Sequence, residues 1–161
     1  MVEGGCGCGS SYRGRDATLL RPARAKVLQE DLLKGGPVPY SIVLATQFME
    51  FMDASLAMTT DGDTVRLPRT PIRLIAAAEV AAIVAEAAAG TPLNGVLNIV
   101  GPDAYPLDEL GRLTLTAKGG AGSVVTDDAA GMFAAAPGDV LTAPEGARIA
   151  ATHCTDWLAA R

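Results

Sequence analysis

Lys26 is the side chain whose setting most suggests chemistry. It lies in "RPARAKVLQEDLLKGGPVPYSIVLATQF", where Val27, Leu28, Asp31 and Leu32 recur at helical spacing ahead of an apolar run. An ammonium on a helix that feeds a buried strand can serve a cofactor, whereas the plain alternative is a solvated charge. Four residues earlier, where a chemical partner would stand on the same helical face, the chain carries Pro22, which has no hydroxyl to donate or accept a proton.

Other constellations are weaker on physical grounds. "GCGCGSS" brings Gly5, Gly7 and Gly9 together, but a phosphate-cradling loop needs a strand to deliver it and a helix start to follow. Only four residues precede Gly5, so flexible low complexity is the expectation there. Cys6, Cys8, His153 and Cys154 supply zinc-type ligand atoms at spacings that match no common site, and no metal is expected. His153 has no triad legible around it, and Cys154 reads as a small buried apolar residue. The acid pairs Asp108-Glu109 and Asp127-Asp128 are neighbours that point to different sides, so helix-start charge and turn chemistry account for them. Phe48, Met49, Phe51, Met52 and Met58 form a soft apolar helix just past a strand. That pattern is usually core, but such positions also line the ligand crevice of open α/β sheets.

The elements that must position these groups follow from periodicity and punctuation. Residues 1–22 are expected to be a low-complexity flexible head, and 23–161 an α/β domain. A helix is predicted from about 23 to 34, stopped by Gly35-Gly36-Pro37. "YSIVLAT" then reads as a strand covered on both faces. A helix through "QFMEFMDASLAM", a turn at Asp61-Gly62-Asp63, and the extended pieces "TVRLP" and "PIRLI" come next. Val80, Ile83, Val84 and Ala87 stripe a helix over 77–89, for which Gly90 is expected to supply a left-handed cap. "GVLNIV" is a second buried strand. Leu107, Leu110, Leu113 and Ala117 mark a helix that Pro106 can open and Gly119-Gly120 close. A strand "SVVT" and a short helix from about 155 to 160 complete the series. With three or four strands for the sheet, the fold class is α/β with a sheet that looks incomplete.

Bulk properties limit the partners. The 161 residues are 49% hydrophobic, enough for a core, and carry a net charge of -5. With a pI near 4.8, the chain should repel nucleic acids and anionic membranes, although Arg13, Arg15, Arg21, Arg24 and Lys26 form one basic stretch. The alanine-rich run at 74–90 is broken by Glu79 and Glu86, which argues against a membrane span. "MVEGG" lacks a secretory signal and the cysteine count of three is odd, so a cytoplasmic location without disulfides is expected.

Taken in order, "RAKVLQEDLLKGGPVPYSIVLATQFMEFMDA" and "DGDTVRLPRTPIRLIAAAEVAAIVAEAAAGTPLNGVLNIVGPDAYPLDELGRL" resemble the carboxyl-terminal half of the NmrA-like atypical short-chain dehydrogenase/reductases, which are NAD(P)-binding and epimerase-like. The likeness spans about Ala23 to Ala160. It implies the carboxyl-terminal half of a Rossmann-like parallel sheet with flanking helices. It also implies that Lys26, matched by its "RAK" context, binds the nicotinamide ribose of NAD(P) and would be the surviving catalytic group. The family's proton-donating tyrosine falls on Pro22, and its positively charged strand residue on Leu44. By the same resemblance Thr46, Gln47 and Phe48 lie against the nicotinamide; Phe51 and Met52, just past the strand, are the positions expected to face a small-molecule substrate. The glycine-rich half that holds adenine and pyrophosphate has no counterpart before Ala23.

The expected function is therefore that of an NAD(P)-dependent oxidoreductase-like protein, truncated, with impaired or absent catalysis. The alternative is a non-catalytic interaction module that uses an open sheet edge and an apolar crevice, with a homo-oligomer among its expected partners.

Overall fold

The computed structural model describes residues 2–4, 17–120, 122–135 and 141–161. In chain order the elements are β1 (Val2–Gly4), α1 (Ala17–Lys34), β2 (Ser41–Ala45), α2 (Phe51–Thr59), β3 (Thr60–Asp61) and β4 (Thr64–Leu67). After them come β5 (Pro71–Ile72), α3 (Ala77–Ala89), β6 (Gly95–Val100), β7 (Tyr105–Pro106), α4 (Leu107–Ala117), β8 (Ser123–Thr126), a 3₁₀ turn (Met132–Ala135), β9 (Arg148–Ile149) and α5 (Cys154–Ala159).

The architecture is α/β. A parallel sheet runs β1-β2-β6-β9, and its longest ladder pairs Ser41–Ala45 with Gly95–Ile99 residue for residue. Parallel strands need helical crossovers, and α1 and α3 supply them on either side of β2 in the chain. Val43, Ala45 and Ile99 alternate along β2 and β6 and share one core with Val80 and Ile83 of α3. Each such fully buried aliphatic side chain stabilises the fold by roughly 1.5–3 kcal/mol before ordering entropy is subtracted. A second core gathers Met49, Met52 and Leu56 from the α2 region, Val65 and Leu67 from β4, Leu107 and Leu110 from α4, and Cys154 and Leu158 from α5. It sits under a smaller sheet of order β3-β4-β8.

Helix α3 and strand β6 occupy the spans that periodicity predicts. Other elements differ. Helix α1 begins at Ala17, and Pro22 lies within it, so the helix reaches into the segment expected to be a flexible head. Strand β1 also lies in that segment, paired in parallel with Val43–Ala45. Strand β8 joins β4 and not the main sheet, because Thr64–Leu67 offers it a matching parallel ladder. Gly90 closes α3 at φ -90 and not in the left-handed region, with its N–H on the Glu86 carbonyl. Left-handed backbone does occur at Gly62, φ +59, where β3 turns back into β4. The glycines Gly5, Gly7 and Gly9, the cysteines Cys6 and Cys8, and Arg13 and Arg15 lie outside the described residues.

Gly101 ends β6 under a steric demand of its own. A Cβ built there would fall 1.6 Å from the Leu74 carbonyl oxygen and 2.8 Å from its carbon, because residues 74–75 cross directly over the strand end. Leu74 points into the second core while Ile75 joins the first, so this crossing stitches the two together. Gly101→Ala should therefore cost at least about 2 kcal/mol, read as a lowered urea midpoint at unchanged slope. A midpoint within error of the parent would show that the crossing is looser than described.

Candidate functional site at the carboxyl end of the sheet

In open parallel α/β sheets ligands gather beyond the carboxyl ends of the strands. Here that rim is built from three exits. Beyond β2 run Thr46, Gln47 and Phe48, where Thr46 N–H donates to the Ile99 carbonyl at 3.2 Å. Phe48 makes a parallel bridge with Ile75, since Ile75 N–H donates to the Gln47 carbonyl and Met49 N–H to the Ile75 carbonyl, both at 3.0 Å. Beyond β6 come Gly101, Pro102 and Asp103. Beyond β9, Ala150 N–H bonds the Val100 carbonyl at 2.8 Å and leads to Thr152 and His153.

Two carboxylates organise this rim. Glu50 accepts the Ala77 N–H with both oxygens, at 3.2 and 3.1 Å, so it caps the start of α3 from a distance. Glu79, in the first turn of α3, accepts the Ala151 N–H at 2.8 Å and the Thr152 N–H at 3.2 Å. The Ala77 N–H at the start of α3 and the Ala151 and Thr152 N–H groups beyond β9 are thus already bonded to carboxylates. Arg73 reaches the Pro102 carbonyl at 2.7 Å through Nη2, while its buried Nε has no partner among the described residues. Thr46, only 8% exposed, likewise has a hydroxyl with no hydrogen-bond partner among the described residues.

The residues that sequence singled out fall into three groups. Thr46, Gln47 and Phe48 stand together at the β2 exit, with Phe48 half-buried against the α3 core. Met52 is 2% exposed inside the second core, and the partly buried Phe51 packs edge-on against Phe133 with centroids 6.1 Å apart. Lys26 is exposed on α1, its Nζ in a long 3.5 Å contact with Gln29 Oε1. Leu44 is half-buried in β2, opposite Asn98.

Asp108, Asp127 and Asp128 of the acid pairs make ties within the fold. Asp108 is buried at the start of α4, where it accepts the Thr126 hydroxyl at 2.6 Å and pairs with Arg112 at 3.0 Å. Burial works to raise its carboxyl, but Thr126 and Arg112 outweigh that and hold it below the ordinary range. Asp128 pairs with Arg69 at 2.6 Å, and Asp127 accepts the Ala129 N–H in the turn after β8.

One pair leaves no signal in the sequence. His153 Nδ1 lies 2.8 Å from Asp103 Oδ1, and no local pattern could have announced it, since fifty positions separate the two. Cys154 beside it is buried, its thiol pushed up to about 11 by burial first and by Asp103 second, which makes it a poor nucleophile at neutral pH.

No protein-family model, curated protein or solved structure matches this chain. The site therefore stands on its own geometry.

Among the described residues, no group of three or more His, Cys, Asp or Glu side chains could hold a metal ion, and no helix is long and apolar enough to cross a membrane. Toward a dinucleotide the rim presents the Gln47 amide beyond β2, while the Thr46 hydroxyl is buried, Glu50 occupies the Ala77 N–H at the start of α3, and Glu79 occupies the Ala151 and Thr152 N–H groups beyond β9.

Replacing an unpaired buried hydroxyl with an isosteric methyl removes a desolvation cost. Thr46→Val should leave stability unchanged or raise it by about 1 kcal/mol in denaturant unfolding. A loss of similar size would mean that the hydroxyl has a partner in solution.

Proposed function

We propose that this chain is an NAD(P)-dependent oxidoreductase-like protein that corresponds to the substrate-side, carboxyl-terminal portion of a Rossmann-like fold and has impaired or absent catalysis. The observation that carries the reading is the parallel sheet itself. Adjacent strands β2 and β6, in register, deliver the Thr46-Gln47 and Gly101-Asp103 exits side by side at the end where such folds bind ligands. The resemblance to NmrA-like short-chain dehydrogenase/reductases adds the role of Lys26 in contacting the nicotinamide ribose. Pro22, four residues before it, offers no phenol to protonate a substrate. Without that phenol the reading favours nucleotide binding over turnover.

A second reading has its own support. Leu28 and Leu32 on α1, and Val38 beyond it, are 60%, 69% and 70% exposed. Apolar side chains left at i and i+4 on one helix suit an interaction module that pairs with another chain. In light scattering at rising concentration this reading expects a dimer or larger assembly, and a strict monomer counts against it.

For the first reading, NADPH fluorescence should change saturably on titration. Lys26→Met should weaken binding about tenfold, the worth of one hydrogen bond to a charged group. Absence of any response at millimolar nucleotide would remove the cofactor from this account.

A further inference from the structure

Two loops at the carboxyl end of the sheet, residues 101–104 after β6 and 150–153 after β9, meet through a single carboxylate. Asp103 Oδ1 lies 2.8 Å from His153 Nδ1, while Oδ2 accepts the N–H of Cys154, the first residue of α5, at 2.9 Å. Behind this junction α5 buries Cys154 and Leu158 in the second core, with Trp157 partly buried against it. A helix of six residues does not persist alone, so its order depends on tertiary ties at its two ends. The far tie is Arg161, which lies 4.4 Å over the Trp157 ring and 2.9 Å from Asp53 Oδ2. The near tie is Asp103.

We propose that the Asp103–His153 pair is a proton-operated clasp that holds the start of α5 against the carboxyl-end rim of the sheet. The imidazole is more than half exposed, so protons reach it without unfolding, while the carboxylate opposite is fixed through both oxygens. A charged imidazolium grips that carboxylate as an ion pair. A neutral ring retains only one hydrogen bond.

The sign of the pH dependence follows from both partners. The hydrogen bond that His153 donates to Asp103, and then the Asp103 charge, raise His153 above the ordinary 6.5, so its contribution is complete below 6.5 and is lost as pH climbs through the raised value. Burial pushes the Asp103 carboxyl up, but the Cys154 N–H and His153 outweigh it and leave it below 3.8. Its contribution is complete above 3.8 and lost as pH falls through the lowered value. The clasp is therefore tightest in the window between 3.8 and 6.5, and loosens on the alkaline side.

Neighbouring groups do not reverse this. Asp156 of α5 also faces His153 and favours its charged form. Around Asp103 stand Arg73, Tyr105 and Cys154. Burial raises both the Tyr105 phenol and the Cys154 thiol, so both stay neutral through the window.

The chain has one histidine and one tryptophan, His153 and Trp157, which makes the test clean. The His153 ring-proton shift should titrate above 6.5 in the parent protein and move down toward 6.5 in Asp103→Asn. Trp157 emission should move to longer wavelength as His153 loses its proton, and this step should vanish in Asp103→Asn and in His153→Gln. A His153 midpoint that Asp103→Asn leaves unmoved, or an emission step that survives in His153→Gln, overturns the clasp. His153 is exposed, so its replacement leaves the core intact and reports even should Asp103→Asn fail to fold.

Discussion

The close approach of Gly101 to the Leu74–Ile75 backbone is the constraint on which the rest of the molecule depends. Only a residue without a side chain lets residues 74–75 pass over the end of β6. Because they pass there, Leu74 and Ile75 can enter different cores. The same crossing lets Ile75 bond the β2 exit on both sides, through Gln47 and Met49. One backbone contact thus joins the parallel sheet, the smaller sheet and the rim between them. Around it, Glu50 and Glu79 bond the backbone N–H groups that the crossing and the β9 exit leave over.

Much of the fold was legible where one physical signal acted alone. Helix α3 shows an uninterrupted apolar stripe between a proline-bounded segment and a glycine, and β6 is a continuous apolar run, so both were readable from local pattern. Strand β1 is three residues long and β9 two, too short to carry any periodicity, and their place in the sheet comes from the edges that β2 and β6 leave open. Strand β8 was readable as a strand but not as a partner of β4, since sheet membership is decided by tertiary pairing. Gly90 shows the limit of punctuation, because glycine permits a left-handed cap without requiring one.

The site was less legible than the fold. Thr46, Gln47 and Phe48 are contiguous, so any exit from β2 keeps them together. Met52 shares its core with residues of α4 and α5, which arrive from far along the chain and carry no local signal near it. The Asp103–His153 pair depended on β6 and β9 ending side by side. In chemical terms the rim is richer in carboxylates already bonded to N–H groups than in free donors.

Amide hydrogen exchange with and without NADPH tests most directly whether the carboxyl-end rim is the binding face. The account predicts slowed exchange at residues 46–48 and at 101 and 103. It predicts no change at Tyr40 and Ser41, which line a cavity of about 230 Å³ at the opposite end of β2. Protection confined to Tyr40 and Ser41, or exchange unaltered along the rim at saturating nucleotide, would contradict it.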